Sequence, residues 1–217
     1  MCGILRLGGR GTSAHHKFGL SQAMVYPQKY GDNQTRLFIH WTRDGYYRTG
    51  CLDHDCLGFV QVNNRYSLGG TLTPVSKYDG QQFDIEISIQ QDKTTGNWWL
   101  ILQDIPIGYW PAQLFTRFAF GADRIRWGGQ IYDSEGNGEH TTTTMGSGHF
   151  PYEGPRRASY FSKLRYLDDS NDLRDPMIAS LQPEVTNKFC YNAMISQDSN
   201  HGVYFYYGGP GYNAECP

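Results

Sequence analysis

The chain has 217 residues and a formal net charge of −2, with 39% hydrophobic, 15% aromatic and 18% charged residues. That near-neutral balance argues against nucleic acid or a charged membrane surface as the main partner. The longest apolar runs, such as Trp98-Trp99-Leu100-Ile101-Leu102, fall far short of the roughly 20 residues that span a bilayer. Glycine (26) and tyrosine (16) are abundant while helix formers are scarce, which is the balance of a strand-and-turn protein able to bury one sizeable core.

In chain order, Met1 to Arg10 has no long apolar stretch and no cleavage-site pattern, so no signal peptide is visible. Residues 1–20 show no periodicity and read as an irregular segment. Arg36 to Thr42 reads as a strand, Arg43-Asp44-Gly45 as a turn and Tyr46 to Cys51 as the return strand. Gly58 to Val62 is the next strand. Phe83 to Gln90 places apolar residues at every second position, with Asp84 and Glu86 on the polar face; Asp92 to Gly96 turns the chain and Asn97 to Gln103 returns it. Trp98 and Trp99 fall on opposite faces of that strand, so one is core and the other is available to a ligand. Pro111 to Phe118 is the one helical turn, with proline at a first position. Ile125 to Tyr132 reads as a strand with a glycine pair inside, where a bulge or a close backbone approach is expected. Ser159 to Tyr166 and Val203 to Tyr207 complete the pattern of an antiparallel β-sandwich.

The five cysteines are Cys2, Cys51, Cys56, Cys190 and Cys216. Cys51 and Cys56 bracket a short polar loop that a disulfide would close; Cys190 and Cys216 bracket the C-terminal segment and would tie it down. Cys2 is left over. Free thiols, and a zinc site of Cys51, His54 and Cys56, are the alternatives, although that spacing is not a usual zinc pattern and has no second half. Disulfides point to an oxidising compartment. Asn33-Gln34-Thr35 is an N-glycosylation sequon that fits it. His140 and His149 flank a threonine-rich strand without thiol or carboxylate neighbours at ligand spacing, so no metal and no cofactor is expected.

Seven stretches occur in a telling order. They are Tyr30-Gly31-Asp32-Asn33 with Trp41-Thr42; Thr49-Gly50-Cys51 to Cys56-Leu57-Gly58-Phe59-Val60-Gln61; Asn97-Trp98-Trp99; Ile107-Gly108-Tyr109-Trp110-Pro111; Trp127-Gly128-Gly129; Met145-Gly146-Ser147-Gly148-His149-Phe150; and Tyr206-Tyr207-Gly208-Gly209-Pro210-Gly211. Together they resemble the C-terminal domain of the plant neprosin family, over residues 21–217. The resemblance implies an antiparallel β-sandwich of two sheets with a long cleft, and proline-directed endopeptidase chemistry by two glutamates facing each other. One carboxylate activates water and a second group protonates the leaving amine, their pKa values split by proximity. It also implies a secretory route to the cell exterior, wall or vacuole, and a proline-rich peptide or protein partner.

The sequence departs from that pattern at both catalytic places. Gln130, after Trp127-Gly128-Gly129, stands where the family has a carboxylate; Glu135, five residues on, lies in a turn-like stretch and is a weak substitute. An amide can donate to an oxyanion but does not exchange a proton in this role. The first glutamate is expected near Leu20, yet no acidic residue occurs from Cys2 to Lys29. The hairpin that would carry it reads as deleted, and a truncated or mis-spliced gene model would account for that absence together with the lack of a leader and pro-domain. Trp98, Trp99, Tyr109 and Trp127 are the expected substrate-binding aromatics. Three readings follow: a proline-directed glutamic endopeptidase that is inactive or impaired in this chain; an aromatic-lined peptide- or glycan-binding module; and a fragment unable to close its sandwich, with open strand edges.

Overall fold

The computed structural model describes residues 3–8, 17–44, 46–115, 118, 121–122, 124–133 and 139–217, with residues 3–8 and 17–23 described through their backbone only. Backbone contacts divide the chain into two compact units. One comprises Ile4–Val75 and Phe83–Trp127, the other chiefly Ser76–Gln82 and Gly128–Pro217. Fourteen strands occur among the described residues, against one four-residue α-helix, Pro27–Tyr30, and short 3-10 turns. The protein is all-β, built of several antiparallel sheets rather than the two that the resemblance implies; they have five, four, three and two strands.

The first unit holds the two larger sheets. The five-stranded sheet is made of β1 (Gly3–Gly8), β2 (Lys17–Ala23), β3 (His40–Trp41), β4 (Cys51–Leu52) and β9 (Arg124–Gly128), in the order β4-β3-β2-β1-β9. Residues 1–20, read from sequence as irregular, thus supply β1 and the start of β2; a strand paired inside a sheet needs no alternation of its own to be fixed. The four-stranded sheet is made of β5 (Val60–Gln61), β6 (Ile87–Gln91), β7 (Trp98–Leu102) and β8 (Ile105–Trp110), in the order β5-β8-β7-β6. The expected hairpin is β6–β7, paired from Ile87↔Leu102 to Gln91↔Trp98. Its turn closes on Asp92, whose carboxylate accepts from the Thr94 N–H at 2.8 Å and the Thr95 hydroxyl at 2.6 Å. β8 includes Gly108-Tyr109-Trp110, part of one of the seven stretches.

Alternation along β7 decides which face is core. Trp98, Leu100 and Leu102 are buried while Trp99 and Ile101 are not. The buried set meets Leu37, Ile39, Trp41 and Cys51 from the β3–β4 region, Ile107 and Trp110 from β8, and Phe59, Phe115 and Phe118 in one apolar cluster. Ile85, Ile87 and Ile89, the apolar positions of the alternating run, pack against it. The expected helical turn is a 3-10 turn at Ala112–Leu114 that carries Phe115 and Phe118 into this core.

The second unit holds the three-stranded sheet of β10 (Ser159–Phe161), β14 (Gly202–Gly208) and β13 (Asn192–Asp198), and the hairpin of β11 (Tyr166–Leu167) and β12 (Leu173–Arg174). β13 and β14 pair over seven residues, from Asn192↔Gly208 to Asp198↔Gly202. Asp198 accepts from the Asn200 and His201 N–H groups at 2.8 and 2.7 Å; Asp168 accepts from those of Ser170 and Asp172 at 2.9 and 2.8 Å. An aspartate at the strand end thus closes the β6–β7, β11–β12 and β13–β14 hairpins by the same local device. No helix among the described residues is long and apolar enough to cross a membrane.

Candidate functional site

The strand that leads to Gln130 is β9. It ends at Gly128, earlier than the sequence suggested, with Trp127 half-buried against the core of the first unit. The next residue explains the early stop. A Cβ on Gly129 would lie 2.5 Å from Met145 Sδ and 2.9 Å from the Tyr207 ring, so only a hydrogen fits there. Met145 is itself held by Gly209, whose carbonyl accepts its N–H at 3.0 Å. On the other side, Ile131 packs against the Cys190–Tyr191–Cys216 cluster. Gln130 sits between these two anchored residues and is exposed, so its amide faces solvent from a fixed stretch of backbone. Glu135 lies outside the described residues.

The aromatics expected to bind substrate divide by face. Trp98, 6% exposed, belongs to the core row Gln91↔Trp98↔Trp110. The opposite face of the same four strands carries the row Val60↔Tyr109↔Trp99↔Gln90. Trp99 and Tyr109 are half-buried, with ring centroids 4.9 Å apart and planes tilted by 41°. Val60 extends this row with 39% exposure. The row is a continuous aromatic and aliphatic strip, of a kind that stacks against apolar rings or prolines.

Several ionisable groups sit elsewhere. Asp53 is 6% exposed, accepts from the Ile39 N–H at 3.0 Å and accepts from the Tyr30 hydroxyl. Burial raises its pKa above the ordinary carboxylate range against the pull of those hydrogen bonds, and burial with the Asp53 carboxylate pushes the Tyr30 hydroxyl up as well. Asp44 shows the opposite balance. Desolvation acts to raise its pKa, but hydrogen bonds from Thr49, Arg48 and Thr42 outweigh it and bring the pKa down to about 2. Asp84 and Glu86 are both exposed. Cys51–Cys56 and Cys190–Cys216 are disulfides, so the zinc reading of Cys51, His54 and Cys56 gives way. His54 instead bonds the Gln61 amide oxygen at 2.8 Å. Asn33 is exposed just after the helical turn.

The histidines do have carboxylate neighbours, contrary to the sequence expectation. His149 Nδ1 lies 3.0 Å from both carboxylate oxygens of Glu153, which also accepts from the Tyr78 hydroxyl at 3.2 Å. His140 Nε2 lies 3.6 Å from Asp133, and its ring is 5.3 Å from that of Tyr191. Both carboxylates are close in sequence, Glu153 four residues after His149 and Asp133 seven before His140, so the expectation that neither histidine has a carboxylate neighbour is corrected.

A family model, Neprosin, matches residues 17–210. The chain belongs to the neprosin family. The match contains β2 to β14, the whole aromatic row, Gln130 and the Cys51–Cys56 bridge. Of the second bridge, Cys190 lies inside the matched stretch and Cys216 beyond it. Three of the neprosin stretches singled out in the sequence do identifiable structural work. Trp127-Gly128-Gly129 ends β9 at a close approach. Tyr206-Tyr207-Gly208-Gly209-Pro210-Gly211 ends β14 and packs its glycines on the backbone: a Cβ on Gly211, at φ +79°, would lie 2.5 Å from the Thr141 carbonyl. Met145-Gly146-Ser147-Gly148-His149-Phe150 supplies the Met145 bridge to Gly209 and the histidine of the Glu153 pair.

Proposed function

We propose that this chain is a neprosin domain of the proline-directed glutamic endopeptidase type in which hydrolysis is impaired, and which holds a proline-containing peptide without turning it over. One observation carries the reading: Gln130, which the sequence resemblance puts at the carboxylate position, is exposed between two anchored neighbours. A peptide bond needs a base to take a proton from water and an acid to return one to the leaving amine. The Gln130 amide keeps hydrogen-bonding ability but neither gains nor loses a proton at working pH. The stretch from Cys2 to Lys29, where the resemblance puts the partner glutamate, holds no acidic residue to take over either role.

Peptide recognition needs no carboxylate. Proline offers flat, apolar ring faces, and the outward Trp99, Tyr109 and Val60 row offers matching surface. A secretory destination fits the two disulfides and the exposed sequon at Asn33. A fluorescent proline-containing peptide, incubated with the chain from strongly acidic to neutral pH, tests the proposal. Binding by anisotropy without product by mass spectrometry is the expected result. Product formation that Gln130→Ala abolishes would overturn it. The alternative, a glycan-binding module, rests on the same aromatic row and would be favoured by retention on cell-wall glycan with no affinity for peptide.

A further inference from the structure

The C-terminal disulfide has a third partner. The Cys190 and Cys216 sulfurs and one ring nitrogen of His140 all lie within 4.8 Å of one another. Cys190 is fully buried, Cys216 is 2% exposed, and the His140 side chain is 19% exposed. In a tetrahedral zinc site the sulfurs sit about 2.3 Å and the imidazole nitrogen about 2.0 Å from the ion, so donors stand roughly 3.5–3.8 Å apart. The Cys190 and Cys216 Cα atoms lie 5.4 Å apart, and rotation of the two released side chains moves the sulfurs toward that donor spacing.

We propose that these three residues form a redox-gated metal clasp: a disulfide when oxidised, and a Cys2His site for a soft divalent cation such as Zn2+ when reduced. The surroundings favour the exchange. His140 is already held, its Nδ1 lying 3.2 Å from the Thr141 carbonyl and its backbone N–H donating to the Pro217 carbonyl at 3.2 Å. A ring so fixed loses little freedom on binding a metal. Asn187 Nδ2, 3.5 Å from Cys216 Sγ, supplies a donor suited to a thiolate. Asp133, 3.6 Å from His140 Nε2, adds a nearby carboxylate that favours a cation. Two thiolates and a divalent ion sum to zero charge, which a buried site tolerates far better than two bare thiolates.

The chemistry balances. A dithiol or phosphine reductant gives two electrons to the disulfide and is itself oxidised; the two sulfurs take up two protons and become thiols. Metal binding then releases those two protons to solvent as two metal–sulfur bonds form. The consequence is a C-terminal segment pinned in both states. In an oxidising compartment the covalent bond holds Cys216 to Cys190, and under reducing conditions the metal does.

The test uses the full chain, reduced with a phosphine and titrated with Co2+, whose thiolate charge-transfer band and tetrahedral visible bands report the donor set. One equivalent is expected to bind with sulfur-to-cobalt charge transfer, and the unreduced chain is expected to bind none. His140→Ala should weaken binding by at least ~10–100-fold, and Cys190→Ser should abolish it. Cys51→Ser/Cys56→Ser should leave it intact, which separates this site from the other released pair. Zn2+ should restore the melting temperature lost on reduction. The proposal is overturned if the reduced chain shows no charge-transfer band, if His140→Ala binds Co2+ with unchanged affinity, or if reduction unfolds the chain and Zn2+ fails to refold it.

Discussion

At Gly129 a single hydrogen atom separates an ordered strand end from a clash. Gly129→Ala places a methyl group against the Met145 thioether and the buried Tyr207 ring. The thioether can swing away; the ring cannot, so the substitution should cost about 1–3 kcal/mol in chemical denaturation. The neighbouring Gln130 is exposed, and Gln130→Glu should leave stability within roughly 0.5 kcal/mol of the parent. A large loss there would show that the residue is structural rather than displayed. Asp53 is the residue whose environment gives the clearest pH signature. Its folded pKa lies above the unfolded value, chiefly through burial, so the folded state holds the proton more tightly than the unfolded chain. Its contribution to stability therefore improves as pH falls from neutral through the folded pKa, and is least favourable above it. Asp53→Asn should remove that improvement while keeping an acceptor for the Ile39 N–H, flattening the slope of melting temperature against pH in the mildly acidic range. Asp44 works in the opposite sense. Its pKa of about 2 means that its contribution is present above the unfolded carboxylate pKa and is lost only as the pH falls through about 2.

At the scale of the element, β7 makes the sharpest division. Its inward residues hold the core and its outward ones, Trp99 and Ile101, face away from it. Leu100, with no exposed surface, should cost about 2–5 kcal/mol when cut to alanine. Trp99→Ala on the opposite face should cost far less stability, yet weaken peptide binding by ~10-fold or more if the outward row is the binding surface. Equal losses of binding in Trp98→Ala and Trp99→Ala, at matched stability, would contradict that assignment. The β6–β7 hairpin was legible in sequence because both of its signals are local: alternation at every second residue and an aspartate-led turn. The inward and outward tryptophans followed from the same alternation. β8 was not legible, because Gly108 and Pro106 break propensity and the strand exists through pairing on both sides, to β5 and β7. β13 is a similar case, since Asn192, Ser196, Gln197 and Asp198 are poor strand formers that β14 holds in register. β1 and β2, in a stretch without periodicity, show the same override by neighbours. The close approach at Gly129 was anticipated from the glycine pair, but the side chains that impose it lie 16 and 78 positions away in the chain and carry no sequence signal. The approach of His140 to the Cys190–Cys216 sulfurs was hidden for the same reason.

For the whole molecule, each compact unit has its own means of closure. The first unites the faces of its two sheets in one apolar cluster of aromatic and aliphatic side chains. The second has fewer buried hydrophobic residues and relies on the Cys190–Cys216 bridge, which encloses a loop of sequence separation 26. Replacing both of those cysteines with serine should cost about 2–4 kcal/mol, whereas the Cys51–Cys56 bridge, of separation 5 and with Cys56 exposed, should matter less. Calorimetry on the two double variants checks the order. The chain belongs to the neprosin family, and the proposed binding without cleavage rests on Gln130. The most direct test is incubation of the chain and its Gln130→Ala variant with a proline-containing peptide across acidic to neutral pH, with products read by mass spectrometry. The account predicts intact peptide from both proteins and peptide bound to both. Cleavage after proline by the chain, lost in Gln130→Ala, would contradict it.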